Sequence, residues 1–409
     1  MDFRPYDSER DRESVRRIWK EVGWLQESEG EGYEFFLQAG RTLVADIEDS
    51  AECAVVMLPG TIRYLEEDLA LSVVGAVTTS RIARKQGLAG RLTAAAIARD
   101  AADGALVSAL GMFEQGYYDR LGFGTGSYVH EVSFDPADLL VDVKPRVPRR
   151  ITKDDWEAVH ASRLARLRGH GAVNLLSPLV TRGEMVGDKD AFGLGYYDGP
   201  NGELTHHLGI KPKGGEHGPY NVKVAIWQTG EQFLELMAVL KSIGDQVHLV
   251  RMDEPPGIQL QDLLRQPIKK RNVTKGSEFE VTIKSSAFWQ ARMLDLPGCM
   301  AQTHLPCADL RFNLRLTDPI EALLDDEAPW HGISGDYVAV LGPDSSAVTG
   351  TDPSLPTLSA SVNAFTRMWL GIRPASGLAI TDRLSGPPEL IRDLDQALLL
   401  PTPYLGWDI

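Results

Sequence analysis

The chain has 409 residues, of which 43% are hydrophobic and 24% charged, and its formal net charge is −15. This length exceeds what one hydrophobic core usually serves, so we expect two or three domains in a soluble globular protein. The acidic excess argues against a nucleic-acid partner, and no apolar run approaches the roughly 18 residues that a membrane span needs.

The first third of the chain alternates helix-like and strand-like segments. The apolar spacing predicts, in chain order, a helix over 13–22, strands over 42–45, 51–57 and 69–77, a helix over 87–102 and a strand over 105–110. The succession of strand, helix and strand at the end of this series indicates an α/β unit.

A charged, proline-containing segment over 135–150 indicates a linker. Beyond it the pattern predicts a helix over 152–167, a strand over 222–227, a helix over 231–243 and a strand over 247–252. This order resembles that of the first third and predicts a duplicated domain, although the two sequences have little in common.

The part of the chain that starts near residue 286 has a different pattern. Leu310, Phe312, Leu314 and Leu316 alternate with polar residues, as in a half-buried strand. Segments 337–341 and 360–364 are predicted as strands or a short helix, and 390–398 as a helix. We therefore predict three domains, over 1–140, 141–285 and 286–409.

A basic, glycine-containing turn joins the strand that ends near Thr79 to the helix that begins near Gly87. The first backbone N–H groups of a helix have no partner within it, and together with the helix dipole they favour an anion. Small residues let a phosphate approach the backbone, and Arg84 and Lys85 add positive charge beside it. The segment therefore predicts a pyrophosphate site, with an ordinary basic helix start as the alternative.

The turn matches neither of two common phosphate-binding fingerprints, GxxxxGKS/T and GxGxxG. Its spacing, Arg84-x-x-Gly87-x-Ala89, resembles the Q/R-x-x-G-x-G/A motif of GNAT acetyltransferases, which binds the pyrophosphate of acetyl-coenzyme A. The resemblance implies acetyl-CoA as cosubstrate, with no metal. It also implies that the following residues contact it, the first two through backbone N–H groups: Val77, Thr79, Arg84, Lys85, Gly87, Leu88 and Ala89.

A second motif follows the predicted helix and the next strand. Residues 116–124 read GYYDRLGFG and resemble the GNAT pattern of a Tyr followed by x-R/K-x-G-F, in which the Tyr lies near the thioester sulfur. A thiol titrates near ~8.5 and a phenol near ~10, so Tyr118 can protonate the leaving thiolate when it is held against the sulfur. The alternative for Tyr118 is an aromatic core residue with a satisfied hydroxyl.

The layout of the whole chain resembles one family more closely. It resembles the enhanced intracellular survival (Eis) family, whose members have a GNAT domain, a second GNAT-like domain without the acyl-CoA motif and a C-terminal domain resembling sterol carrier proteins. The resemblance implies an α/β and α+β fold, in which two tandem GNAT-like domains, each a mixed sheet flanked by helices, precede a sterol-carrier-protein-like α+β domain. The turn at Thr229 and Gly230 lacks Arg and Lys, so we expect the second domain to be catalytically silent.

The Eis resemblance also has implications for substrates and assembly. It implies aminoglycosides, other polyamines and protein lysines as acceptors, which agrees with the acidic balance of the chain. It further implies a homohexamer built as a dimer of trimers.

In Eis proteins the C-terminal carboxylate reaches the active site and serves as the general base. The chain ends in Trp407-Asp408-Ile409, close to the family's aromatic–acidic–aromatic ending except for the final Ile. The resemblance implies that the Ile409 carboxylate is the base and that Asp408 contacts the substrate. A free α-carboxyl has a pKa of ~3.5, so burial must raise that pKa or water must relay the proton. A frayed terminus is the alternative, but two large apolar residues at the end favour docking.

An early aromatic–acidic segment, 24–31, lies where GNAT proteins place substrate-binding helices. We expect Trp24 and Glu27 to contact a cationic substrate; a solvated acidic loop is the alternative.

Other patterns predict no function. Cys299, His304 and Cys307 lack a fourth metal ligand nearby. The glycosylation sequon at Asn272 has no export signal with it. We expect His206 and His207 to form a surface pair. The scarcity of cysteines and the N-terminus, which lacks a signal-like apolar stretch, predict a cytoplasmic protein.

Two other classes of function remain open from the sequence. The C-terminal domain could make the chain a lipid- or sterol-binding protein, which an apolar tunnel would favour. The chain could also be a scaffolding protein with a non-catalytic GNAT domain, which failure to bind acetyl-CoA would favour.

Overall fold

The computed structural model describes residues 3–25, 32–188, 190–214, 216–273 and 279–409. The helices and strands of the first third are β1 (Phe3–Pro5), α1 (Ser8–Glu21), α2 (Gly32–Ala39), β2 (Arg41–Ile47), β3 (Ser50–Tyr64), β4 (Glu67–Thr79), α3 (Leu88–Ala102), β5 (Val107–Gly111), β6 (Gly124–Thr125) and β7 (Val129–Phe134).

The middle of the chain contains β8 (Arg149–Ile151), α4 (Trp156–Leu164), β9 (Val173–Leu175), α5 (Pro178–Gly187), β10 (Phe192–Tyr196), β11 (His206–Pro212), β12 (Tyr220–Ile226), α6 (Gly230–Ser242), β13 (Val250–Asp253), β14 (Arg271–Asn272) and β15 (Glu280–Ser286). The last part contains β16 (Trp289–Met293), α7 (Leu296–Ala301), β17 (Leu310–Thr317), β18 (Gly335–Leu341), β19 (Ser346–Thr349), β20 (Thr357–Ser361), α8 (Val362–Trp369), α9 (Ala375–Thr381), β21 (Leu384–Ser385) and α10 (Pro388–Ala397).

These strands form three mixed sheets. The first has the order β1-β2-β3-β4-β5-β16-β6, with β9 also paired to β3. The second has the order β14-β15-β7-β13-β12-β11-β10-β8, and the third β19-β18-β17-β20-β21. Helices pack on the sheets, which confirms the expected combination of α/β and α+β architecture.

Strands cross between the predicted sequence ranges. The second sheet contains β7, which precedes residue 140, and the first sheet contains β16, which follows residue 285. The first sheet also receives β9 from the middle of the chain. The first two sheets are therefore tied together by exchanged strands, and neither is built from one continuous segment.

The first and last parts of the chain share one hydrophobic core. A continuous cluster of buried residues runs from Val15 and Leu37 through β3 and β16 to Phe365 and Trp369. Within it the Trp369 indole stacks on the Tyr64 ring, with centroids 4.5 Å apart and planes inclined by 8°. Burial of this apolar surface holds the third sheet against the first.

Helix α3 is the crossover that positions the predicted site. Leu88, Leu92 and Ala96 are buried on one face of the helix and pack against the first sheet. The helix connects β4 to β5, which pair in parallel. No helix in the part of the chain that the structure describes is long and apolar enough to cross a membrane.

Candidate active site

The first sheet opens between β4 and β5. The two strands pair in parallel from Leu71 and Val107 to Val74 and Leu110, after which β4 continues to Thr79 while β5 ends at Gly111. Ala76 has a left-handed φ of 51°, and the β3–β4 register shifts opposite it. Such a bulge bends the strand. The far end of β4 therefore diverges from β5.

Backbone N–H groups of β4 face this opening. The N–H of Ser80, the residue after β4, donates to the carbonyl oxygen of Glu52 in β3, at 2.8 Å. Because successive N–H groups along a strand point to opposite sides, those of Val77 and Thr79 point away from β3. The two predicted backbone donors therefore point towards the gap next to β5.

The start of α3 forms the other part of the predicted cofactor site. Gly87 is the N-cap, with φ 74° and ψ 4°, and no side chain caps the helix. Leu88 is buried beneath the turn, while Arg84 and Lys85 are exposed beside it. The first N–H groups of the helix therefore remain available to an anion, with two cations next to them.

Arg120 adds a third cation at this helix start. A Cβ placed on Gly90 would lie 3.6 Å from an Arg120 guanidinium nitrogen, so that group lies over the first turn of α3. The same guanidinium stacks on the Tyr117 ring at 4.5 Å. Sequence reasoning recognised the Arg only as part of a motif and gave it no role.

Tyr118 lies on the α3 side of the sheet. Its side chain is 3% exposed and packs in one cluster with Leu110 and Phe123. Its hydroxyl has no hydrogen-bond partner among the residues that the structure describes. Burial, and to a smaller extent Tyr117, raises the pKa of Tyr118 well above the usual value for a phenol. The side chain therefore stays protonated at neutral pH, as an acid requires.

The C-terminus lies at the end of β5, on the opposite face. A Cβ at Gly111 would overlap a terminal carboxylate oxygen of Ile409, so the approach depends on glycine. Side chains alternate along a strand, and Leu110 faces Tyr118, so Gly111 faces the other way. Tyr118 and the Ile409 carboxylate thus flank β5 from its two faces, and the tail is docked.

The tail borders a large cleft between the first two sheets. The cleft has a volume of about 3120 Å³, and its walls include Asp408, Ile409, Glu131 and Asp253. Trp24 lies elsewhere, half-exposed, with its ring edge against Trp19 at 5.8 Å. Glu27 lies outside the described residues. The structure therefore brings Asp408 and Ile409 together, but it does not bring Trp24 to the cleft.

Trp289 is a cleft residue that sequence reasoning missed. It is directly opposite Gly111 in the β16–β5 pair, so both residues face the side on which the terminal carboxylate lies. The indole is fully buried, and its N–H has no hydrogen-bond partner among the described residues. An unpaired buried donor is unfavourable, which marks this position as one for a ligand group to satisfy.

The expectation of a surface pair at His206 and His207 is wrong. Both side chains are buried in the second sheet. His206 lies 3.2 Å from a Glu235 oxygen, and Ser162 contacts the His207 ring at the same distance. Alternation in β11 sends one ring to each face of a sheet that is covered on both sides.

His206 also belongs to a cluster with metal-ligand residue types. Ligand atoms of Asp198, His206 and Glu235 all lie within 4.8 Å of one another. However, the Arg146 guanidinium bonds both carboxylates at 2.7 Å. The positive charge at the centre of this cluster is thus supplied by the protein itself.

Comparison with known proteins agrees with this geometry. Residues 3–126 match the acetyltransferase (GNAT) domain family. The first part of the chain is a GNAT acetyltransferase domain. GNAT domains use acetyl-CoA as cosubstrate, and the chain is accordingly an acyltransferase. No curated protein matches the sequence.

Solved structures share the fold over the full length. A probable N-acyltransferase from Enterococcus faecalis has a TM-score of 0.79 at 17% identity, covering 100% of this chain and 99% of that one. A GCN5-related N-acetyltransferase from Kribbella flavida gives 0.75 at 19%, covering 100% and 98%. Eis1 from Mycobacterium abscessus gives 0.77 at 15%, covering 100% of both chains. The chain thus has an Eis-like GNAT fold.

Proposed function

We propose that this chain is an N-acetyltransferase that transfers the acetyl group of acetyl-CoA directly to amines of cationic small molecules. Aminoglycosides and other polyamines are the proposed acceptors, with protein lysines as a further class. The observation that carries the proposal is the placement of Tyr118 and the Ile409 carboxylate on opposite faces of β5, at the end of the gap beside β4.

The two groups have complementary tasks in acyl transfer. Acetyl-CoA supplies a thioester, whose sulfur must receive a proton when it leaves. Tyr118, kept protonated by burial, donates that proton. The Ile409 carboxylate takes the proton of the attacking amine, either directly or through water. The backbone N–H groups of Val77 and Thr79 hold the acyl end, and the start of α3 with Arg84 and Lys85 holds the phosphates.

Carboxylates in the cleft support a cationic acceptor. Asp253 and Glu131 are directly paired across β13 and β7. The pKa of Asp253 is raised, because the cleft partly desolvates it and because Glu131 and Asp408 repel its charge. An ammonium group placed among these carboxylates would relieve the repulsion. The resemblance of the sequence to the Eis family implies the same class of acceptor.

The test is thiol release from acetyl-CoA, measured with a thiol-reactive dye. We expect release that depends on kanamycin or neomycin and is absent with the same aminoglycoside after full N-acetylation, which removes the amines but keeps the sugar rings. If neither kanamycin nor neomycin causes thiol release but coenzyme A still produces a thermal shift, the proposed acceptor class is contradicted. No release and no shift would favour the lipid-binding or scaffolding alternative.

The assembly is proposed on the resemblance to Eis proteins alone. We expect a homohexamer, made of two trimers, in the cytoplasm. Light scattering after size-exclusion chromatography should then give the mass of six 44.9-kDa chains. The mass of a single chain or of a dimer would contradict it.

A further inference from the structure

The last seven residues run along a track made by the middle of the chain. Backbone hydrogen bonds join the Val173 N–H to the Leu405 carbonyl at 2.8 Å and the Tyr404 N–H to the His170 carbonyl at 3.1 Å. The Ser127 hydroxyl donates to the Pro403 carbonyl. A Cβ at Gly171, whose φ is 81°, would overlap Pro403. The tail is therefore fitted closely to this track before it reaches the first sheet.

Trp407 is the main anchor of the tail. Its side chain is 4% exposed, and the Arg163 guanidinium carbon lies 3.6 Å from the centre of its ring. The indole N–H donates to Glu184 at 3.2 Å, and Glu184 also pairs with Arg163. Arg163 lies in the last turn of α4 and Glu184 lies on α5, so two helices hold one indole through a cation–π contact and a hydrogen bond.

Arg166 fastens the backbone around this anchor. Its guanidinium is buried and bonds the carbonyl oxygens of Arg163 and Val173, the Asn174 side chain and, at 3.4 Å, the Leu405 carbonyl. In the described part of the chain, no carboxylate pairs with it. This buried guanidinium directs its donors at backbone carbonyls of α4, β9 and the tail, so it ties the paired Val173 and Leu405 to the last turn of α4.

We propose that α4, α5 and the segment between them form a clamp that sets the position of the terminal carboxylate in the active site. Arg163 and Arg166 act in it as positioning residues. We expect no acyl-CoA site in the middle of the chain. Through the clamp, this part of the chain would still contribute to the reaction by positioning the carboxylate. This inference rests on the proposed base role of Ile409.

The clamp explains how the terminal carboxylate can be held in place although the last residue, Ile409, is not aromatic. Ile409 is only partly buried, while Trp407, two residues earlier, is almost fully buried. Two residues span only about 7 Å of extended chain, so a fixed indole confines the carboxylate to the neighbourhood of Gly111. Loss of the clamp therefore loosens the carboxylate without touching Tyr118 or the start of α3.

The test replaces Arg163 and compares it with a matched arginine. Arg163→Met keeps an apolar contact with the indole but removes the charge. Arg182→Met is the control, because Arg182 lies on α5 and also stacks on aromatic rings, those of Phe35 and Trp156, but makes no hydrogen bond, ion pair or ring contact with the tail among the described residues. Arg163→Lys, which keeps the charge and loses the flat stacking surface, guards against misfolding of the first variant.

Two measurements are made on the full-length protein. Digestion with carboxypeptidase reports tail release directly, and we expect Ile409 to be removed roughly tenfold faster in Arg163→Met than in the wild type or Arg182→Met. Steady-state kinetics should show kcat lowered by a similar factor, about tenfold, with the KM for acetyl-CoA changed less than about twofold. Arg163→Lys should lie in between in both measurements.

The outcomes separate the clamp from the proposed function. Unchanged digestion of the tail in both Arg163 variants would overturn the clamp. Faster digestion with an unchanged kcat would keep the docking but overturn its part in the reaction. If the wild type transfers no acetyl group, the digestion alone still decides whether the clamp holds the tail.

Discussion

Gly111 is the residue at which the end of the chain meets the first sheet. A Cβ at this position would overlap the Ile409 carboxylate oxygen, so Gly111→Ala should push the carboxylate aside while leaving the strand intact. Because displacement of a reacting group by about 1 Å can cost roughly 10²-fold in rate, we expect a large loss of kcat with normal acetyl-CoA binding. Gly230→Ala, with open space around the new methyl group, is the control in steady-state assays. Equal kcat values for Gly111→Ala and Gly230→Ala would contradict a catalytic role for the Ile409 carboxylate.

Tyr118 is the residue whose chemistry can be tested most simply. Its hydroxyl has no partner within the described chain, so Tyr118→Phe should not lower thermal stability. As general acid its loss should lower kcat by about 10²–10⁴-fold, with acetyl-CoA affinity nearly unchanged. Stopped-flow or steady-state thiol release gives the rate, and calorimetry gives the affinity. A large loss of acetyl-CoA affinity would instead indicate a binding role for this side chain.

At the scale of single elements, α3 concentrates the charge of the predicted cofactor site at its first turn. Arg84→Ala and Lys85→Ala should each weaken acetyl-CoA binding about tenfold at low salt and less at high salt, with little change in kcat. Titration calorimetry at two salt concentrations measures this effect. Arg99→Ala is the control, since eleven residues of helix put Arg99 roughly 16 Å away, beyond a Debye length of about 10 Å. A similar loss of acetyl-CoA affinity in Arg99→Ala would mean that the overall charge of the protein, and not the charge at the start of α3, determines binding.

Elements with a strong local signal were predictable from the sequence. The helical spacing of Leu88, Leu92 and Ala96 and the glycine before them define α3, and a Thr229–Gln232 capping box marks the start of α6. Both helices lie within a residue of their predicted bounds. The predicted helix over 152–167 is shorter, since α4 spans only Trp156–Leu164.

Features that depend on distant partners were not predictable. The bulge at Ala76 opens the site, yet alanine gives no local signal for a positive φ. Strand β16 carries Gln290 and Arg292 in fully buried positions, and Arg292 is tolerated there because it pairs with the buried Asp318 at 2.6 Å. Strand β16 lies between β5 and β6 in the first sheet, so it pairs with residues that are far away in sequence. The tail, with Trp407 in place, was predicted from family resemblance, while the residues that hold it were not.

At the scale of the whole molecule, the three sheets are assembled so that Ile409 lies beside Gly111 at the candidate site. Adding a few residues after Ile409 should therefore replace the terminal carboxylate by a peptide group and force the chain out past Gly111. We expect turnover to fall to near the no-enzyme rate while acetyl-CoA still produces its thermal shift. The same residues added before Met1 are the control, and an active C-terminally extended protein would remove the terminal carboxylate from the mechanism.

Buried histidines set how the whole fold responds to acid. Burial, together with the charge of Arg163, lowers the pKa of His207 to about 3, and burial also lowers the pKa values of His206, His160 and His170. Between the unfolded pKa of ~6.5 and the folded value, the unfolded chain binds protons that the folded chain excludes, so stability falls as pH falls. Glu235 acts at lower pH, because Arg146 lowers its pKa to about 2 and its stabilisation is lost only below ~4.5.

The first loss of stability on acidification should therefore come from the histidines. From pH 6.5 to 5, His207 alone should remove about 2 kcal/mol from the free energy of unfolding. Urea unfolding of the wild type and of His207→Gln at pH 7.5, 6 and 5 measures this, and the variant, although less stable at pH 7.5, should lose less on acidification. Glu235→Gln should follow the wild type over the same interval, because the Glu235 carboxylate remains ionised there in both the folded and the unfolded chain. Parallel slopes for the wild type and His207→Gln would mean that His207 is protonated within the fold, in spite of its burial beside Arg163.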